Sequence, residues 1–172
     1  MLSNIYGSTR TLLVIETTQG DRFGSFTSEP WRIKPAFFGT GESFLWRVNN
    51  SQPTSEIEVF RYSGLDQFVQ RCTNNHLWVG GGSWKTEKEC PYYPSEPIGL
   101  GLTIHRDMQF GTSASCATFL NPCLSRRNKE TRFEISNLEM WTVTPFYPAN
   151  EAKRAEERKI FVEKHSRVAN DD

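Results

Sequence analysis

No stretch of about 18 consecutive apolar residues occurs in this chain, which removes a membrane-spanning helix from consideration. The opening MLSNIYGSTR lacks the apolar centre of a secretory signal. An excess of charge of either sign is missing too: Lys+Arg and Asp+Glu number 20 each, for a formal net charge of +0. Without a global basic field, nucleic acid is not an expected partner. The four cysteines (Cys72, Cys90, Cys116 and Cys123) contain no Cys-x-x-Cys pair, which argues against zinc and thioredoxin-like chemistry. In the absence of a signal peptide, reduced thiols in the cytosol are expected.

What is present favours sheet. A chain of 172 residues suits one compact domain with an appendage, and its aromatic fraction of 13% leans towards strands. TLLVIETT is a short apolar run followed by the turn signal QGD, so residues 11–28 read as a hairpin. SFLWRV alternates, with Phe44, Trp46 and Val48 on one face. EIEVFRY carries apolar residues on both faces, so both are expected to be covered. NHLWVGGG runs into three glycines, and GLGLTIHRD alternates Leu100, Leu102 and Ile104 against Gly101, Thr103 and His105. CATFL and RFEISNLEMWTV complete the strand set. The expectation is a mainly β (α+β) fold: a two-sheet antiparallel β-sandwich with a few short helices. Residues 63–72 fit either a short helix or a strand.

Two segments differ in character. Residues 83–97 hold three prolines and several charges, as a surface loop does. Residues 147–172 are charged and rich in helix formers, with Asn150 as N-cap and Lys153–Glu157 and Lys159–Glu163 at i,i+4 spacing. The apolar stripe there, with Ile160 and Phe161 beside it, is thin.

Several chemical signatures fail on inspection. FFGTGESFLW lacks the lysine of a phosphate loop, and Glu42 would repel phosphates. A tight turn in which Gly39 and Gly41 take angles closed to other residues reads better. HRD at residues 105–107 resembles a kinase catalytic loop, yet Thr112 stands where asparagine is required. Ser115 or Cys116 in GTSASCATF would need a histidine base, and among three histidines only His105 lies on a neighbouring strand. Cys116 reads as a packed core residue or a redox-sensitive thiol. Gly80, Gly81 and Gly82 read as a bulge or a close backbone approach rather than a ligand cradle. No metal-ligand spacing links His105, Asp107, Glu42 and Glu139, so neither metal nor cofactor is expected, and no complete catalytic set points to an enzyme.

The succession LLVIETTQGDRFGSFTSEPW, FFGTGESFLWRV, LWVGGG, GLTIHRDMQFGTSASCATFLNPCLS and FEISNLEMWTV resembles the TLDc domain of the oxidation resistance proteins. The likeness suggests a domain at 11–146 followed by the charged extension 147–172. It implies a non-enzymatic cytoplasmic module that protects against oxidative stress and binds subunits of the vacuolar proton pump (V-ATPase). Recruitment to lysosomal, vacuolar or vesicle membranes through that partner is also implied, as is a role beside a TBC-type Rab-GAP domain in some members. A monomer is expected. Matching the family's motifs nominates Glu42, Asp107 and Glu139 for partner contacts, together with Ile160 and Phe161 of the extension. Cys116 is the redox candidate. Gly39, Gly41, Gly80, Gly81, Gly82, Gly111 and Trp141 would maintain the fold. Two departures stand out: His105 occupies a position usually acidic, and the 83–97 loop is longer than the family's short link. The family's N-terminal helical lead-in is largely missing, so the chain is expected to be an excised domain.

Overall fold

The computed structural model describes residues 8–49, 56–82, 99–125, 131–143 and 154. β1 (Thr11–Thr17) and β2 (Arg22–Thr27) form the expected antiparallel hairpin. In β1, Thr11, Leu13, Ile15 and Thr17 are buried and the residues between them are less so, the period-two signature of a strand with one face on a core. β10 (Arg132–Thr142) pairs with the other edge of β1. β4 (Phe44–Asn49) continues the sheet beyond β2, and β5 (Glu56–Arg61) lies outermost. The other half contains β3 (Lys34–Phe38), β6 (Gln70–Cys72), β7 (His76–Val79), β8 (Leu102–His105) and β9 (Phe110–Thr112).

The ten strands are hydrogen-bonded as one sheet in the order β3-β6-β7-β8-β9-β10-β1-β2-β4-β5. The sequence suggested two sheets, and β10 accounts for the difference. It is 11 residues long, pairing with β9 over Arg132–Glu134 and with β1 from Ile135 onward, so one strand serves both halves. The core also unites them. Ile15, Phe23 and Leu45 cluster with Val69, Leu77, Val79 and Ile104, and with Cys116, Phe119 and Leu124 from the loop before β10. Phe23 meets Phe133 edge-on with ring centres 4.9 Å apart, a preferred aromatic geometry. A Cβ at Gly101 would stand 2.7 Å from Leu45 Cδ1, so the two halves touch there with no space for a side chain.

Four local expectations change. CATFL (residues 116–120) is a turn, because Thr118 Oγ1 accepts from the Gly81 amide and Asn121 Nδ2 donates to the Ala114 carbonyl, engaging side chains with backbone groups instead of leaving the chain free to join a ladder. Residues 63–69 form neither helix nor strand; only Gln70–Cys72 pair, as β6. β5 is an edge strand with Ile57 66% and Val59 45% exposed, so its apolar residues on both faces did not mean two covered faces. In β4 the buried side belongs to Leu45 and Arg47, while Phe44, Trp46 and Val48 are only half-buried. The inward arginine is fully engaged: Nη2 lies 2.7 Å from Glu58 Oε2, and Nη1 donates to the Cys123 carbonyl at 2.9 Å. The loop at 83–97 and the extension at 147–172, Arg154 excepted, lie outside the described residues.

Candidate functional site

The glycine run sits where three chain segments converge. Gly80 has φ 80°, a left-handed angle that favours glycine, and a Cβ there would lie 2.7 Å from Cys116 Sγ. At Gly81 the obstacle is Phe68 Cβ at 2.7 Å, and at Gly82 it is Asp66 Oδ2 at 2.5 Å. The backbone is consumed as well. Gly80 N–H donates to Val69 O at 2.8 Å, Gly81 N–H donates to Thr118 Oγ1 at 2.9 Å, and Ala117 N–H donates to Gly82 O at 2.9 Å. Thr118 ties the knot by donating its hydroxyl proton to Asp66 Oδ1 at 2.7 Å. Amides committed in this way cannot cradle an anion, so the run is a backbone approach, as its flanking strands suggested.

Cys116 lies against this junction, 0% exposed, with its thiol donating to Asn121 Oδ1 at 3.0 Å. Burial pushes its pKa up to about 11, against the partial relief of hydrogen bonds from Phe119 and Thr118. Cys72 is likewise pushed up to about 11 by burial, and burial raises Cys123. A reactive thiol needs exposure and a lowered pKa, and Cys116 has neither. His105 does not approach as a base: its ring stacks on Phe110 at 4.6 Å and its Nδ1 lies 3.1 Å from Asp107 Oδ2. Ser115, the other nucleophile considered, is half-buried next to Cys116.

The nominated carboxylates are exposed and fall in two places. Glu42 follows the Gly39–Gly41 turn and pairs loosely with Arg10 at 3.7 Å. Gly39 has φ 118° as expected, whereas Gly41 is required for a different reason: the Tyr62 ring packs 2.7 Å from where its Cβ would be. Glu139 is on β10, opposite Val14 of β1, and accepts from Trp141 Nε1 at 2.8 Å and Asn137 Nδ2 at 3.1 Å. Trp141 is 59% exposed, so it is a surface residue and not the packing element expected. Glu42 and Glu139 share the β1–β2–β4–β5 half. Asp107 lies in the β8–β9 turn of the other half, its pKa lowered first by the Gln109 amide and then by His105. Gly111 lets β9 close on Thr103 O and the Phe133 ring. Ile160 and Phe161 lie outside the described residues.

Sequence reasoning missed Arg47, Thr118 and Arg71. A charged residue in the inward phase of a strand pattern was the available signal for Arg47. A polar cavity of about 350 Å³ near Thr17, Ser125 and Arg132 includes none of the nominated residues.

A single-sheet β fold with GTGES, GGG and SASCATF built into its frame defines a class, and comparison with known proteins agrees. The TLDc domain family model matches residues 1–144, and the chain belongs to that family. It is 31% identical over 133 residues to Oxidation resistance protein 1 of Rattus norvegicus, covering 77% of this chain and 13% of the relative. Oxidation resistance protein 1 of Yarrowia lipolytica is 28% identical over 133 residues, covering 77% of this chain and 49% of the relative. Nuclear receptor coactivator 7 of Gallus gallus is 30% identical over 131 residues, 76% of this chain and 12% of the relative. The chain therefore spans half the length of such relatives or much less.

Proposed function

We propose that this chain is a non-enzymatic TLDc interaction module that binds and modulates the V-ATPase and supports resistance to oxidative stress. The observation carrying the reading is the fate of the family motifs. The Gly80 and Gly81 amides, the Gly82 carbonyl and the Cys116 thiol are engaged within the frame, so the chain offers partners its surface. The exposed Trp141 supplies an aromatic contact of the kind that anchors interfaces, and the exposed carboxylates at Glu42, Glu139 and Asp107 suit a polar rim. The names of the relatives support the oxidative-stress part, and the resemblance supports the pump part. The module works in the cytoplasm as a monomer, reaching lysosomal, vacuolar or vesicle membranes through its partner, with Ile160 and Phe161 of the extension adding contacts.

Affinity purification from cell lysate, with quantitative mass spectrometry, tests this. The tagged full chain should enrich V-ATPase subunits, and a variant lacking residues 149–172 should enrich them less while remaining folded. Absence of pump subunits in native and detergent-solubilised lysates alike refutes the pump reading; enrichment of TBC-domain proteins instead would favour a trafficking adaptor. A redox reading that uses Cys116 has no structural observation in its favour.

A further inference from the structure

Register aligns two outward rows across β10, β1, β2, β4 and β5. Trp141, Leu12, Phe26, Phe44 and Arg61 make the first; Glu139, Val14, Gly24, Trp46 and Val59 make the second. Both lie on the face away from Leu13, Ile15, Phe23 and Leu45 of the core. Phe26 stacks on Phe44 with ring centres 5.1 Å apart. A Cβ on Gly24 would stand 3.0 Å from Trp46 Cζ2, so the Trp46 ring roofs the glycine and the strip has no gap. Trp141 and Val59 are exposed at its two ends, and the apolar side chains between them are half-buried. A continuous apolar strip of this kind marks an interaction site.

Four strand gaps of about 4.8 Å make the strip about 19 Å long, and two rows about 7 Å apart make it about 14 Å wide. That area, on the order of 270 Å², is a third of the about 800 Å² that each partner gives to a stable complex, so a second copy is a poor match. One α-helix, about 10 Å across and rising about 1.5 Å per residue, covers it with about 13 residues. β10 delivers such a segment. Val143 N–H donates to Arg10 O at 2.9 Å just past Trp141, and Pro145 and Pro148 then keep the chain from extending the ladder. Residues 150–168 have the composition of a helix, and Arg154, the described residue among them, is helical and exposed. A helix entering from β10 sets its positive N-terminal end over the exposed Glu139 and its negative C-terminal end at the exposed Arg61, the orientation its dipole favours. Ala152, Ala155 and Val162 share one side of it, and small side chains there fit against the large rings of Phe26, Phe44 and Trp46. Ile160 and Phe161 point more than about 100° from the centre of that side, so they stay available for the partner contacts proposed above.

We infer that residues 150–168 lie as a helix across the β10–β1–β2–β4–β5 strip of their own chain. This packing does not depend on the pump reading and holds in the free chain.

NMR of the labelled full chain tests this. Cross-relaxation peaks should join the Phe44 and Trp46 rings to the methyl groups of Ala155 or Val162. In an equal mixture of carbon-13-labelled and unlabelled chains, those peaks should be absent from the spectrum filtered for contacts between molecules. Ala155→Glu combined with Val162→Glu keeps helix-forming residues and should abolish the peaks. The same double substitution should shift the indole signals of Trp46 and Trp141, while those of the buried Trp31 and Trp78 stay in place. Should that variant fail to fold, truncation after residue 148 gives the same comparison. Peaks found only between molecules would make a second copy the occupant and overturn the proposal. Absence of the peaks, or indole signals unmoved by the double substitution, overturns it as well and leaves the strip to a partner protein.

Discussion

The burial of Cys116 leads to a quantitative expectation about oxidation. A thiol with the ordinary pKa of 9.0 is thiolate in about one molecule in 100 at pH 7; at about 11 the fraction is about one in 10,000. Since the thiolate is the nucleophile, the reactive population alone falls about a hundredfold, offset in part by the greater nucleophilicity of a more basic thiolate. Access slows it further: Sγ is 0% exposed and is walled by Gly80 and Gly101, so peroxide must wait for a local opening. Brief peroxide treatment of the native chain, then differential alkylation and mass spectrometry, should find Cys116 modified at least about a hundredfold more slowly than in urea-unfolded protein at the same pH. Cys116→Ser keeps a donor for Asn121 Oδ1, now 3.0 Å from Sγ, so the fold should survive. Under the proposed role in oxidative-stress resistance, cells relying on the Cys116→Ser protein should resist peroxide as well as cells relying on the wild type. Native oxidation of Cys116 within about tenfold of the unfolded rate would refute the argument. Loss of protection by a variant that still folds would refute it equally.

Three further outcomes follow from the same packing. Arg47→Ala removes the donor to the Cys123 carbonyl and one partner of Glu58, whose Oε1 still accepts from Asn49 Nδ2 at 2.7 Å, and chemical denaturation should report a loss of about 1.5–3 kcal/mol; a loss under about 1 kcal/mol would mean the pair is solvated. Gly80→Ala combines a left-handed backbone with a contact 2.7 Å from Cys116 Sγ, so stability should fall by about 2–5 kcal/mol, and Cys116→Ala should recover part of it in a double-mutant cycle. Cys116 binds its proton more tightly when folded, so its contribution is complete below pH 9.0 and is lost as pH rises through about 11. That loss should approach about 3 kcal/mol and shrink in Cys116→Ser, as measured by urea denaturation across that window.

The strand content was legible because it rests on local alternation. β1 buries Thr11, Leu13, Ile15 and Thr17 in strict phase, and nothing distant is needed to see it. β4 shows where local reading stops. Its sequence puts Phe44, Trp46 and Val48 in one phase, yet Leu45 and Arg47 are the buried ones. An arginine can point inward only because Glu58 on β5 and the Cys123 carbonyl, 76 positions away, are there to meet it. CATFL failed as a strand for a related reason: side chains of Thr118 and Asn121 reach backbone groups that no local pattern announces. The glycine run was legible as a close approach, but its neighbours Asp66, Phe68 and Cys116 were not.

Surface character depends still more on register. Arg71, Trp78 and Thr103 are scattered over 33 positions of sequence and become one row only when β6, β7 and β8 align. On the other half, register groups a different set: Val48 with Ile57, and Trp46 with Val59. That face is aliphatic and aromatic, with Ile57 66% and Val59 45% exposed. The two halves thus differ in what register groups, a buried row on one and a largely exposed pair on the other, and β10 joins them, carrying Glu139 and Trp141 on one half and Arg132 over Phe110 on the other. A partner contacting the Glu42 and Glu139 side therefore meets the β1–β2–β4–β5 half and not the strands that hold Arg71, Trp78 and Thr103. Substitutions on the two faces should accordingly add without coupling, unless β10 shifts as a whole.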